Sequence, residues 1–116
     1  MFITRMEVKM TGRTTKVAVR KQAPDGRVIA ELYLACGNGS VRFPTIYVKV
    51  CVWEKLAEKV LPVLDRKGIN VEACGYLQVS EYMGRKGRSV LLELKDVREL
   101  KIYDRDGELV EVYTGE

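Results

Sequence analysis

The segment from Thr45 to Glu58, TIYVKVCVWEKLAE, changes abruptly from one hydrophobic period to another, and it constrains the fold more than any other stretch. Up to Trp53 the side chains alternate with a period of two, which predicts a β-strand with one covered face. The face expected in the core consists of Ile46, Val48, Val50 and Val52. After Trp53 the apolar residues recur every three or four positions, which predicts an amphipathic helix. The chain therefore passes directly from a half-buried strand into a helix.

The opposite face of this strand carries Tyr47, Lys49, Cys51 and Trp53, and Trp53 is the only tryptophan of the chain. A solvent face does not usually hold two large rings with a lysine in register between them. Alternate residues of a strand lie about 6.6 to 7 Å apart, so flat groups can stack on the rings while the Lys49 ammonium holds a phosphate. We therefore predict a binding platform on this face. The alternative interpretation of Trp53 is a ring that caps the core, and that of Cys51 is a small filler between the rings.

The composition limits the chain to one domain. A chain of 116 residues, 47% apolar and 31% charged, has enough apolar side chains for one core. It lacks the run of about 18 to 20 apolar residues that spans a membrane, and its first ten residues lack a signal-peptide pattern. We therefore expect a cytoplasmic protein without a membrane partner. Because the three cysteines (36, 51 and 74) lack CxxC spacing and the chain has no histidine, we expect reduced thiols and no metal site.

The residues that carry most enzymatic reactions are missing from the sequence. Without histidine the chain lacks the most common general base. Neither the nucleophile-elbow motif GxSxG nor the Walker A and GxGxxG phosphate-binding motifs occur. The Gly-containing segments at 37–40 and 84–87 lie between strand-like runs and are interpreted as turns. We therefore expect a binding protein that needs no cofactor rather than an enzyme.

Charge is distributed unevenly along the chain. The net charge is +5 over residues 1–27, +3 over residues 28–98 and −4 over residues 99–116. A sequence pI of about 9.0 favours polyanionic partners modestly. The pattern is that of a basic body with an acidic end.

Alternating patterns elsewhere predict the remaining strands. The first strand runs from about Ile3 to Thr11, and after a break at Gly12 it continues over 14–20. Further strands are predicted over 27–36, 69–82, 91–103 and 109–113. The helix is predicted over 54–64. Five strands with one helix between the third and the fourth is the element order of an OB-fold barrel. We therefore predict an all-β, five-stranded OB-fold barrel over residues 1–103, with an extra C-terminal strand or hairpin over residues 104–116.

Several short segments resemble the bacterial-type single-stranded DNA-binding protein (SSB) family. They are VWEKLAEKV at 52–60, RKGINVEACGYLQ at 66–78 and SEYMGRKGR at 80–88, together with GR at 12–13, PDG at 24–26 and LYLA at 32–35. The resemblance covers about residues 6–103 and implies an OB fold. It also implies binding of single-stranded DNA with little sequence preference, which protects the strand during replication, recombination or repair.

The resemblance assigns individual residues to this surface. It implies that bases stack on Tyr47, Trp53 and Tyr82, with Phe43 as the nearest match to a fourth family aromatic and Lys49 between two rings. Tyr33, on the platform side of the second strand, enlarges the surface, and the loop cations suited to the phosphate backbone are Arg42, Arg85, Lys86 and Arg88. The alternative interpretation is that the tyrosines are cross-strand or interface residues and the cations are solvated turn residues.

The chain departs from the family pattern in two places. SSB chains typically continue into an acidic, Phe-terminated tail that recruits other proteins, whereas this sequence stops at YTGE, so tail-mediated partners are not expected. Glu7 and Lys9 interrupt the first strand, which pairs between subunits in the family. We expect a homo-oligomer, with a dimer first and a tetramer second, because an isolated barrel leaves a strand edge unprotected. Two alternative functions stay open: a structural OB-fold interaction module of a replication or primosome-like assembly, and a single-stranded RNA binder.

Overall fold

The computed structural model describes residues 6–116, so the predicted start of the first strand at Ile3 lies outside the described residues. The chain forms β1 (Glu7–Thr14), β2 (Val19–Gln22), β3 (Val28–Cys36), β4 (Ile46–Trp53), α1 (Glu54–Val60), β5 (Asn70–Gly84), β6 (Gly87–Lys95), β7 (Glu99–Tyr103) and β8 (Leu109–Thr114). No helix within residues 6–116 is both long enough and apolar enough to cross a membrane.

Five strands close into a barrel in the order β1, β3, β4, β6 and β5, and β5 pairs back with β1. Every pair in this circuit is antiparallel except β4 with β6, which is parallel. β2 extends the sheet beside β3, and β7 and β8 extend it beside β5. The helix lies between the third and fourth barrel strands. The predicted all-β, five-stranded OB-fold barrel with an extra C-terminal strand is therefore confirmed.

The core lies inside the barrel, where alternation along the strands places the apolar side chains. β3 contributes Ala30, Leu32 and Leu34, β4 contributes Val48, Val50 and Val52, and α1 contributes Leu56, Ala57 and Val60. The prediction for Ile46 was wrong, because this residue begins β4 beside an exposed loop and 48% of its surface is accessible. Alternation therefore predicts the buried face of β4 correctly except at its first residue.

The first strand differs from its predicted course at Gly12. We expected Gly12 to break or bend the strand, but β1 runs through it to Thr14. A Cβ atom at this position would lie 2.9 Å from the Ala35 carbonyl oxygen and 2.8 Å from the Cys36 Sγ. The glycine therefore permits the close crossing of β1 and β3 that closes the barrel.

Two other boundaries differ from the expected ones. The helix ends at Val60 rather than Leu64, because Pro62 has no backbone N–H to continue the ladder. The return strand predicted over 91–103 is divided into β6 and β7 by a bend at residues 96–98, where Asp96 adopts a φ of 56°. This bend separates β6, which pairs with β4 and the distal half of β5, from β7, which pairs with residues 70–73 of β5.

Candidate nucleic-acid interface

The platform is the outward face of four adjacent strands, β3, β4, β6 and β5. Residues directly opposite each other on paired strands project from the same face, so the register assigns side chains to it. One row crosses all four strands as Tyr33, Lys49, Glu93 and Gln78. By the same alternation the platform also carries Glu31 on β3, Tyr47, Cys51 and Trp53 on β4, and Tyr82 on β5.

Three aromatic rings stand exposed on the platform. The exposed fraction is 69% for Tyr47, 37% for Trp53 and 54% for Tyr82. Tyr47 and Trp53 lie near opposite ends of β4, and Tyr82 lies opposite Ser89 in the β5–β6 hairpin. None of the three belongs to the buried core. Each of the three rings therefore keeps surface that a stacking partner can reach.

Cations lie over two aromatic rings of the platform, Trp53 and Tyr33. The guanidinium carbon of Arg27 is 4.6 Å from the Trp53 centroid, and Lys16 Nζ is 4.1 Å from the Tyr33 centroid. Sequence reasoning missed both cations. Arg27 could have been found from register, because Ile29, two residues later, lies opposite Trp53. No comparable signal in the sequence points to Lys16.

A charged cluster occupies the centre of the platform, between Tyr47 and Trp53. Only 8% of the Glu31 side chain is exposed, and its carboxylate accepts hydrogen bonds from Lys49 Nζ at 2.8 Å and Lys21 Nζ at 3.1 Å. The Tyr33 hydroxyl donates to the same carboxylate at 3.2 Å. A phosphate would therefore compete with Glu31 for the Lys49 ammonium. The sequence pattern gives no sign of this ion pair.

The pKa values in this cluster reflect burial and pairing. Burial raises the pKa of Glu31, but hydrogen bonds from Lys49 and Lys21 outweigh it, so the pKa lies below its usual value. The hydrogen bond to Glu31 raises the pKa of Lys49. Burial raises the pKa of the Cys51 thiol, which keeps it protonated and unreactive at neutral pH.

The second carboxylate of the cluster, Glu93, is much less completely paired. Its Oε2 lies 4.0 Å from Lys49 Nζ and 4.0 Å from Cys51 Sγ. Within residues 6–116 no closer polar partner contacts it, although only 15% of the side chain is exposed. Glu93 therefore keeps hydrogen-bond acceptor capacity at a mostly desolvated position.

The other predicted site residues lie in the flanking loops. Phe43, 57% exposed, belongs to the loop between β3 and β4, where its backbone N–H donates to Ser40 Oγ at 3.0 Å. The Arg42 guanidinium lies 5.8 Å from the Phe43 centroid. Arg85 and Lys86 form the exposed turn between β5 and β6. Arg88 lies opposite Met83 and projects from the face of the hairpin that is opposite to Tyr82.

Comparison with known proteins identifies a similar fold. No protein-family model matches the chain, and no curated protein matches it by sequence. The crystal structure of the small single-stranded DNA-binding protein from Streptomyces coelicolor is similar, with a TM-score of 0.63 and 13% sequence identity. The similarity covers 97% of this chain and 95% of that chain. It supports the SSB-like OB fold that the sequence segments predict.

Proposed function

We propose that this protein binds single-stranded DNA by stacking bases on Trp53, Tyr47 and Tyr82. The observation that carries the proposal is the exposure of three large rings on one face of an OB barrel and its hairpin. Aromatic rings stack on any base, because every base has a π-face, so the binding depends little on sequence. The similar solved structure, which belongs to a single-stranded DNA-binding protein, supports the same function.

The charges around the rings determine where the phosphate backbone runs. The centre of the platform carries Glu31 and Glu93 beside Lys49, so it offers phosphates no net positive charge. The rim carries the cations that stack over rings or occupy the hairpin turn: Lys16, Arg27, Arg42, Arg85 and Lys86. We therefore place the phosphates along the rim and the bases inward, which shifts Lys49 from a phosphate contact to a neighbour of the bases.

The biological role that we propose is protection of single strands exposed in replication, recombination or repair, because stacking that tolerates any base suits such strands. We also propose a homo-oligomer, with the dimer as the simplest form. β8 pairs with β7 and with no other strand of the described chain, and an open strand edge is usually covered. Light scattering coupled to size-exclusion chromatography measures the oligomeric state.

A second candidate function is supported by the other face of the β5–β6 hairpin. Val79, Met83 and Val90 are 55%, 76% and 57% exposed there. Exposed apolar surface of this kind is typical of protein interfaces when it forms a contiguous patch. The second candidate is therefore a protein-interaction module of a larger assembly, with no role for oligonucleotides.

Fluorescence anisotropy with a labelled oligonucleotide of about 16 nucleotides separates the two candidates. We expect affinity to fall steeply as salt rises, because bound cations release counterions from the strand. Tyr47→Ala and Tyr82→Ala should each weaken binding about tenfold, since stacking contributes about 1–3 kcal/mol per base. Val110→Ala, which truncates an exposed side chain of β8, should leave affinity unchanged. Absent or salt-independent binding by the wild type would overturn the proposal.

A further inference from the structure

The centre of the platform lies between the rings rather than on them. Tyr47 and Trp53 are six residues apart on β4, which is about 20 Å along an extended strand. Bases that bridge this distance pass over the polar row containing Lys49 and Glu93. Their edges therefore meet hydrogen-bonding groups where a uniformly stacking surface would offer only rings.

The two carboxylates in this region differ in what they can still accept. Both oxygens of Glu31 are engaged, Oε1 by Lys21 and Tyr33 and Oε2 by Lys49. Within the described chain Glu93 accepts one weak hydrogen bond, from the Cys51 thiol at 4.0 Å. Its other contact, with Lys49 Nζ at 4.0 Å, is too long for a hydrogen bond between nitrogen and oxygen. An ionised carboxylate offers about four acceptor sites. Glu93 is therefore the group in the cluster with unused acceptor capacity.

Lys49 supplies a donor beside this acceptor. An ammonium carries three protons, and among residues 6–116 the one partner within 3 Å of Lys49 Nζ is Glu31. Lys49 Nζ and Glu93 Oε2 lie 4.0 Å apart. The pair therefore presents a donor and an acceptor side by side to a base edge.

Base chemistry decides which edge this pair accepts. Cytosine and adenine carry an exocyclic amino donor next to a ring-nitrogen acceptor, and the amino group projects far enough to reach a recessed carboxylate. The only ring donor on the pairing edge of thymine or uracil lies between two carbonyl oxygens, which a carboxylate repels. Carboxylates accept from amino groups of bases, and single-stranded bases are read on these edges.

We infer that Glu93 and Lys49 form a base-reading subsite that favours cytosine and adenine over thymine and uracil. The inference rests on the proposed function, because it names the bases that one position of the platform accepts. Stacking on the three rings tolerates every base, and the subsite adds a bias at the position between them. The bias runs toward amino-bearing bases because Glu93, the less completely paired carboxylate of the cluster, is a hydrogen-bond acceptor.

Competition between oligo(dC) and oligo(dU) tests the subsite directly. The two bases have the same size and both lack the thymine methyl group, so they differ in the edge that Glu93 reads. We expect wild-type protein to bind oligo(dC) about tenfold more tightly, as one hydrogen-bonded base contact discriminates. In Glu93→Gln the ratio should fall toward one, because an amide both donates and accepts. Glu111→Gln removes the same charge from exposed β8 and should keep the wild-type ratio.

The outcomes separate this inference from the proposed function. Equal binding of oligo(dC) and oligo(dU) by the wild type, with salt and ring dependence intact, overturns the subsite alone. Failure of both oligonucleotides to bind overturns both. A bias that persists in folded Glu93→Gln overturns the assignment to Glu93. If Glu93→Gln does not fold, Glu93→Asp takes its place, since the shorter carboxylate should reduce the ratio and an unchanged ratio contradicts the inference.

Discussion

The guanidinium of Arg27 covers one face of the Trp53 ring, with its central carbon 4.6 Å from the ring centroid. Arg27 Nε also donates to Asp25 at 2.7 Å, and both side chains of this ion pair are half exposed. An exposed pair contributes little to stability, so a phosphate can displace Asp25 without a large cost. Trp53 and Arg27 thus combine an aromatic ring with a cation over one of its faces.

Removal of the Arg27 charge should change the salt dependence of DNA binding. We expect Arg27→Ala to reduce the slope of log affinity against log salt by about 0.7, the value for one phosphate contact to a single strand. Arg105→Ala removes an equal charge from the turn between β7 and β8 and should leave the slope unchanged. Anisotropy titrations at several salt concentrations measure both slopes. Equal slopes for the two variants would show that Arg27 makes no phosphate contact.

Glu31 should stabilise the fold in a pH-dependent manner. Its pKa is lowered in the folded state from the usual 4.5, because the pairing with Lys49 and Lys21 outweighs burial. Such a carboxylate stabilises the fold above its unfolded-state pKa, and the contribution is lost as the pH falls through the lower folded-state value. The raised pKa of Lys49 acts in a different window, since its contribution is lost only as the pH rises above 10.5.

The Glu31→Gln substitution tests this linkage. Urea denaturation at pH 7 should give a free energy of unfolding about 1–3 kcal/mol below that of the wild type, because charged hydrogen bonds are lost. The difference should begin to shrink as the pH falls below 4.5, where Glu31 becomes protonated in the unfolded chain, and should shrink further as the pH falls through the lower folded-state pKa. A difference that is the same at both pH values would show that the ion pairs contribute no net stability.

Glu54, the first helical residue after Trp53, adopts a backbone conformation that suits glycine. Its φ is 56°, and the left-handed region costs an L-residue about 1–2 kcal/mol. Glu54→Gly should relieve this strain, but glycine also increases the conformational entropy of the unfolded chain. The free energy of unfolding should therefore stay the same or rise by up to about 1 kcal/mol. Lys55→Gly, at the next exposed position, should lower it by about 1 kcal/mol. The reverse order in urea denaturation would contradict the backbone assignment.

Local sequence patterns predicted the barrel because alternation records which side of each strand is buried. The pattern from Tyr47 to Trp53 separates the buried valines from the outward rings as the structure does. Alternation describes a single strand, however, and does not show which strand pairs with it or in which register. The parallel pairing that brings Glu93 beside Lys49 joins residues 44 positions apart, and Lys49 therefore looked free.

Backbone geometry explains the other differences between expectation and structure. The bend at residues 96–98 divides the run over 91–103 that we predict as one strand, because Asp96 turns the chain with a positive φ. Aspartate adopts this conformation more readily than most residues, but alternation does not indicate where it does so. Arg27 was overlooked although it begins the strand predicted over 27–36, because the pattern of one strand does not show which residue of the neighbouring strand lies opposite it. The position of a cation over a ring depends on the backbone path of the turn that carries it, and neither composition nor alternation specifies this path.

The intrinsic fluorescence of Trp53, the only tryptophan of the chain, tests the stacking account most directly. The protein is titrated with an unlabelled oligonucleotide of about 16 nucleotides, first at low salt and then with salt added to the complex. The account predicts strong quenching on binding and recovery as salt releases the strand. Fluorescence that stays unchanged while a labelled strand shows no binding would contradict the account and leave the protein-interaction candidate.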